Sequence, residues 1–186
     1  MFSVRIHGRG GQGVVSAAEM LSIAAFLEGR HAHAVPSFGS ERMGAPVVAF
    51  CRIDDRPIRL REPVLEPDAL IVQDPTLFHA IDVFNGLVSH GYLLINTGRS
   101  IEDLGIEKGV EHLPPKHVCR VPATEIAMKY VKRPVPNTVL LGALSAATGV
   151  VGIDSVVKAI ETKFPGPLGQ ANITAAKAAY ELTIQA

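Results

Sequence analysis

Val4-Arg5-Ile6-His7-Gly8-Arg9-Gly10-Gly11-Gln12-Gly13-Val14-Val15 is the stretch that decides the fold. A short run of strand character ends in a glycine cluster. Val14, Val15, Ala17, Ala18, Met20, Leu21, Ala24, Ala25 and Leu27 then recur at helical spacing as far as Gly29, the pattern of a helix with a buried stripe. The order is strand, glycine loop, helix. Gly8 to Gly13 fits G-x-G-x-x-G in the context that gives the motif physical meaning. Glycines let the backbone approach a ligand, and the free N–H groups and partial positive charge of a helix start favour an anion. Arg9 adds a full charge. Gly8, Arg9, Gly10, Gly11, Gln12 and Gly13 are therefore read as a loop for a phosphate, pyrophosphate or carboxylate. The competing reading is that the glycines serve only a tight turn and close helix–sheet packing.

Working outward, Arg30 to Val35 reads as a second short strand, and Pro36 to Ala45 is too rich in glycine and serine to be regular. Pro46 to Ile53 is rich in Val, Phe and Ile; the Asp54-Asp55-Arg56-Pro57 turn returns the chain to Ile58-Arg59-Leu60, an expected antiparallel hairpin. Ala69 to Val72 and Tyr92 to Ile95 are continuous apolar runs typical of buried central strands, with a helical stretch expected from Leu77 to Val88 between them. His117 to Val121 reads as a last strand. Helices are expected at Thr124 to Val131, Asn137 to Thr148, Asp154 to Phe164 and Gln170 to about Leu182, with Asn137 and Asp154 as caps. Alternating strands and helices give a three-layer α/β/α, Rossmann-like fold with a mixed, mostly parallel sheet and a helical C-terminal third. The length of 186 residues is that of a single domain, 1–186.

Composition narrows the function. Apolar residues make up 47% and charged residues 19%, and Lys plus Arg equals Asp plus Glu at 18 each, so bulk charge offers no footprint for nucleic acid or an anionic membrane. Pro134 to Ile153 is uncharged, but its prolines, glycines and polar residues leave a helix too short to span a bilayer. Met1 to His7 enters a strand pattern directly, without a leader signature, so a cytoplasmic location is expected. Cys51 and Cys119 are far apart and in no CxxC pattern; both fall in expected strands, where a buried thiol acts as a small hydrophobe. His31 and His33 share a strand face but have no evident third metal ligand. His31-Ala32-His33-Ala34-Val35-Pro36 contains no carboxylate to grip a dinucleotide ribose, which counts against a free-standing NAD-dependent dehydrogenase.

Two segments in this order, Ile6 to Val15 and Pro36-Ser37-Phe38-Gly39-Ser40-Glu41-Arg42-Met43-Gly44-Ala45-Pro46-Val47, resemble the gamma subunits of 2-oxoacid:ferredoxin (acceptor) oxidoreductases, the pyruvate and 2-ketoisovalerate group. The likeness continues through Arg52-Ile53-Asp54, Ile58-Arg59 and Pro136-Asn137-Thr138 to Gly149. It implies a compact α/β domain that joins alpha, beta and ferredoxin-like delta subunits. Thiamine diphosphate with Mg and iron–sulfur clusters of the 4Fe-4S type would then sit in those partners. The assembly would convert a 2-oxoacid (pyruvate, a branched-chain oxoacid or an aryl glyoxylate) and coenzyme A to acyl-CoA and carbon dioxide, with ferredoxin or another acceptor taking the electrons. This chain would be required but not catalytic alone, helping to bind coenzyme A and to close the thiamine diphosphate pocket. Gly8 to Gly13, Ser37, Phe38, Gly39, Ser40, Arg42 and Asn137 are the expected binding residues, with Glu41 facing ligand or partner. The small residues of the Asn137 helix are expected partly inside the domain and partly at an interface. A ligand-free assembly module remains the alternative.

Overall fold

The computed structural model describes residues 1–36 and 43–186. Among them the strands are β1 (Phe2–Arg9), β2 (His31–Pro36), β3 (Pro46–Asp54), β4 (Ala69–Val72), β5 (Tyr92–Asn96) and β6 (Val118–Val121). The helices are α1 (Val14–Leu27), α2 (Ile101–Leu104), α3 (Glu107–Val110), α4 (Ala123–Tyr130), α5 (Asn137–Thr148), α6 (Ile153–Lys163) and α7 (Pro167–Gln185). One sheet has the order β2-β3-β1-β4-β5-β6. The β1–β4, β4–β5 and β5–β6 pairs are parallel, whereas β3 runs antiparallel to both β1 and β2. The sheet is mixed, and β3 alone opposes the common direction.

Alternation along the strands sorts the side chains into two layers. Val4, Ile6, Cys51, Ile53, Ala69, Ile71 and Leu94 join a large core with α1 and α4 to α7. Leu70, Val72, Leu93 and Ile95 face the other way, onto Leu104, Ile106 and Leu113, with Phe78 and Phe84 beside them. This gives the expected three layers, one deep and one thin. Every residue of β4 is fully buried, as a strand covered on both faces requires. In the deep layer α5 is buried from Asn137 to Ser145. At Gly142 a Cβ would overlap the carbonyl oxygen of Ala176 on α7, so the small residues of this part of α5 let two helices of the same chain approach. This is the part of the helix expected inside the domain.

The thin layer is polar at its foot. Arg5 donates to the carbonyls of Val64 (3.4 Å), Val83 (2.9 Å) and Asn85, and its Nε to His7 Nε2 (3.1 Å). Arg52 donates to the Pro63 carbonyl at 3.1 Å. These guanidiniums pair the carbonyls of irregular segments that have no ladder of their own.

Three local expectations fail. Ile58 to Leu60 forms no strand; β3 already has partners on both edges, so a third pairing is impossible. Leu77 to Val88 yields only a 3-10 turn at Pro75–His79 followed by loops. The turn is opened by Asp74, which accepts from the Thr76 amide, and the loops are held by Arg5 at the Val83 and Asn85 carbonyls. Asn137 and Asp154 are not caps: Pro136 and Gly152 hold those positions. Asp154 still sits in the first turn of α6, where its charge suits the helix dipole.

Candidate functional site

The chain moves from β1 leftward to β2 and later rightward to β4, so the carboxyl ends of β1 and β4 flank the point where the strand order reverses, the usual ligand crevice of an open α/β sheet. The glycine loop lies there. Gly11 and Gly13 have positive φ, 95° and 69°, a conformation open to glycine at no steric cost. The start of α1 has no side-chain cap and no acidic residue in its first turn, which leaves helix N–H groups available to an anion.

The β2–β3 hairpin returns to the same rim. Gly10 N–H donates to the Ala45 carbonyl at 2.9 Å and Gly44 N–H to the Gly10 carbonyl at 3.1 Å. Ser37, Phe38, Gly39, Ser40, Glu41 and Arg42 lie outside the described residues, but the segment that follows them, Met43 to Ala45, is tied to the glycine loop through Gly10. Asn137 arrives from 124 residues away: its Nδ2 donates to the Gly13 carbonyl at 3.2 Å, while its Oδ1 accepts from Thr138 N–H at 2.8 Å. The start of α5 is also without a side-chain cap. Two helix starts whose N-cap residues make no side-chain bond therefore meet at Gly13.

Arg9 is not free. Its guanidinium pairs with Asp74 at 3.3 Å, donates to Thr76 Oγ1 at 2.8 Å and to the Gly44 carbonyl at 3.1 Å. Gln12 completes a ring, with Oε1 accepting from Arg9 N–H at 2.7 Å and Nε2 donating to Asp74 at 3.1 Å. Burial alone would raise the Asp74 carboxyl. Hydrogen bonds from the Thr76 hydroxyl and amide and from Gln12, with the Arg9 charge, hold it below the ordinary carboxylate range. The glycines are also tightly packed within the chain. A Cβ on Gly8 would meet Val14, one on Gly11 the Met43 sulfur, and one on Gly13 the Asn137 amide.

Sequence reasoning missed Gln73, Asp74, Asn96 and Thr124. They follow the apolar runs of β4 and β5, or open α4, and line the same crevice. Polar residues placed directly after parallel strands were the available signal. Asn96 holds this corner: its Nδ2 donates to the Gln73 carbonyl and Thr124 Oγ1, and its Oδ1 accepts from Thr124 N–H.

The dinucleotide alternative loses its frame as well as its carboxylate. In that fold the strand beside β1 is the parallel second strand; here it is antiparallel β3. Among the described residues no group of three His, Cys, Asp or Glu side chains comes together as a metal site. Burial pushes the Cys51 and Cys119 thiols up to about 12 and about 11, so both are protonated at neutral pH. No described helix is long and apolar enough to cross a membrane.

Residues 3–182 match the family model for pyruvate ferredoxin/flavodoxin oxidoreductase. The common gamma subunit of pyruvate/ketoisovalerate oxidoreductases from Pyrococcus furiosus is 49% identical over 98% of this chain and 97% of its own. This chain belongs to the gamma-subunit family of pyruvate and oxoacid:ferredoxin oxidoreductases. Pyruvate synthase subunit PorC of Methanothermobacter marburgensis is 46% identical over 97% of both chains. The crystal structure of pyruvate oxidoreductase subunit PORC from Thermotoga maritima superposes with a TM-score of 0.82 at 40% identity, covering 97% of this chain and 95% of that one. As a gamma subunit, the chain is one part of a multi-subunit oxidoreductase and works with partner subunits.

Proposed function

We propose that this gamma subunit, acting as one domain over residues 1–186, supplies part of the coenzyme A site of its oxidoreductase and closes the thiamine diphosphate pocket of its partners. The assembly, located in the cytoplasm with alpha, beta and delta subunits, would convert a 2-oxoacid and coenzyme A to acyl-CoA and carbon dioxide and pass electrons to ferredoxin or another acceptor. The observation that carries this reading is the meeting of two uncapped helix starts, α1 and α5, at the Gly13–Asn137 contact beside the glycine loop. The backbone N–H groups of Gly11, Gly13, Val14 and Val15 suit pyrophosphate oxygens, whereas those of Gly10 and Gln12 are spent within the chain on the Ala45 and Arg9 carbonyls. Ser37, Ser40 and Arg42 would add side-chain donors from the hairpin, with Phe38 and Gly39 shaping its surface. Arg9 would hold Asp74 and the loop in place rather than bind directly.

The other cofactors do not fit this chain. Two cysteines cannot ligate a four-cysteine cluster, and the thiamine diphosphate and its metal are assigned to partner chains. Tight intrachain packing at Gly8, Gly11 and Gly13 favours the second reading, an assembly module without a ligand. Steady-state kinetics of the reconstituted complex separate the two. Arg42→Ala should raise the KM for coenzyme A roughly tenfold, as loss of one charge-assisted contact does, with the KM for the 2-oxoacid unchanged. An unchanged KM for coenzyme A in both Arg42→Ala and Arg9→Ala would leave the module reading standing.

A further inference from the structure

Gln73 is fully buried, and neither its carboxamide oxygen nor its nitrogen has a hydrogen-bond partner among the described residues. Native chains seldom leave such a group unpaired without a use for it. The side chain lies directly beneath the glycine loop: a Cβ on Gly8 would sit 3.1 Å from Gln73 Oε1 and 3.0 Å from Gln12 Oε1. The residue also borders a cavity of about 360 Å³ at the carboxyl ends of β4 and β5, opposite the start of α4, from which its carboxamide is closed off.

The neighbouring polar groups are already committed. Asn96 binds the Gln73 carbonyl and both polar groups of Thr124, and Asp74 accepts from Thr76 and Gln12. Asp74 and Glu125 both line the cavity, so it repels phosphate. A neutral group offering a donor and an acceptor side by side suits it. A carboxamide pairs in this way with the edge of adenine, its oxygen accepting from the amino group while its nitrogen donates to a ring nitrogen.

We infer that Gln73 reads the adenine edge of the bound carrier, with the base in the β4–β5 cavity and the phosphates toward the start of α1; this rests on the coenzyme A reading above. For the base to reach the closed-off carboxamide, Gln12, whose amide bridges Arg9 N–H and Asp74, would have to release Asp74.

The test compares, in the assembled complex, binding of coenzyme A with binding of the analogue whose purine lacks the 6-amino group. The wild type should prefer coenzyme A by about tenfold or more, the discrimination expected of a bidentate pair, and Gln73→Leu should bind both alike. Because the amide is unpaired in the free chain, Gln73→Leu and the more flexible Gln73→Met should both assemble and melt no lower than wild type. An undiminished preference in these variants overturns the inference and leaves the coenzyme A reading intact. A clear drop in melting temperature, or failure of both variants to assemble, shows an amide already paired and likewise overturns it. A wild-type complex in which coenzyme A binds without involving this subunit removes both.

Discussion

The two faces of the sheet solve the same covering problem by different chemistry. On the deep face, Val4, Ile6, Cys51 and Ile71 meet five helices whose backbone hydrogen bonds are internal, so apolar packing suffices. On the thin face, the cover around residues 55–68 and 80–88 is irregular, and its carbonyls must find donors in the sheet. Arg5, Arg52 and, through Leu60, His33 provide them. A sheet can thus be roofed by loops when side-chain donors replace the missing ladder.

Removing the central donor should break this contrast most severely. Arg5→Met leaves buried acceptors at Val64, Val83 and Asn85 unpaired and is expected to cost about 3–5 kcal/mol, measured by urea denaturation of the isolated chain. Burial lowers the Arg5 pKa, with Asp82 opposing the shift, yet a guanidinium stays charged at any working pH. An apolar swap on the deep face, such as Ile71→Val, should cost only about 1 kcal/mol, and equal losses at the two sites would erase the distinction.

Overpacking tests the deep face on its own terms. Gly142→Ala drives a methyl group into the Ala176 backbone, which no side-chain rotation relieves, and should cost about 3 kcal/mol. The loss should appear as a lowered melting temperature without pH dependence.

The thin face alone should respond to acid. Burial, and then the Arg5 charge, lowers His7 from its ordinary value of 6.5 to about 4. Below 6.5 the unfolded chain takes up a proton that the folded chain refuses until near 4. This stability is fully present above 6.5 and is lost as pH falls through that window, by at most ~3 kcal/mol. His7→Gln, whose Oε1 can still accept from Arg5, should flatten the loss between pH 7 and pH 4.5 in denaturant titrations. An unchanged slope would place the acid sensitivity elsewhere.

The same contrast explains what was legible in the sequence. β1, α1, β4 and β5 announce themselves because period and apolar runs are local signals. The roof of the thin face does not: Ile58-Arg59-Leu60 has strand composition, but only the Leu60 carbonyl finds a partner there, His33 of β2, while Pro63, Val64, Val83 and Asn85 are held by Arg52 of β3 and Arg5 of β1, partners chosen by tertiary structure alone. Likewise Gly8 to Gly13 was readable as a motif, whereas its union with Asn137 depends on α5 crossing the core. Gln73 stayed hidden because a single glutamine after Val72 looks like any strand end. Its meaning lies in having no partner, which only coordinates reveal.

The lone reversed strand, β3, has an architectural consequence. By turning the chain back beside β1, it delivers a second loop to the rim that the glycine loop occupies, with Pro46 standing opposite Arg9. A conventional crossover would have sent that loop's far end to the opposite edge of the sheet. The strand that breaks the sheet's common direction is therefore also the one that fastens the glycine loop from the side, through Gly44 and Ala45 on Gly10.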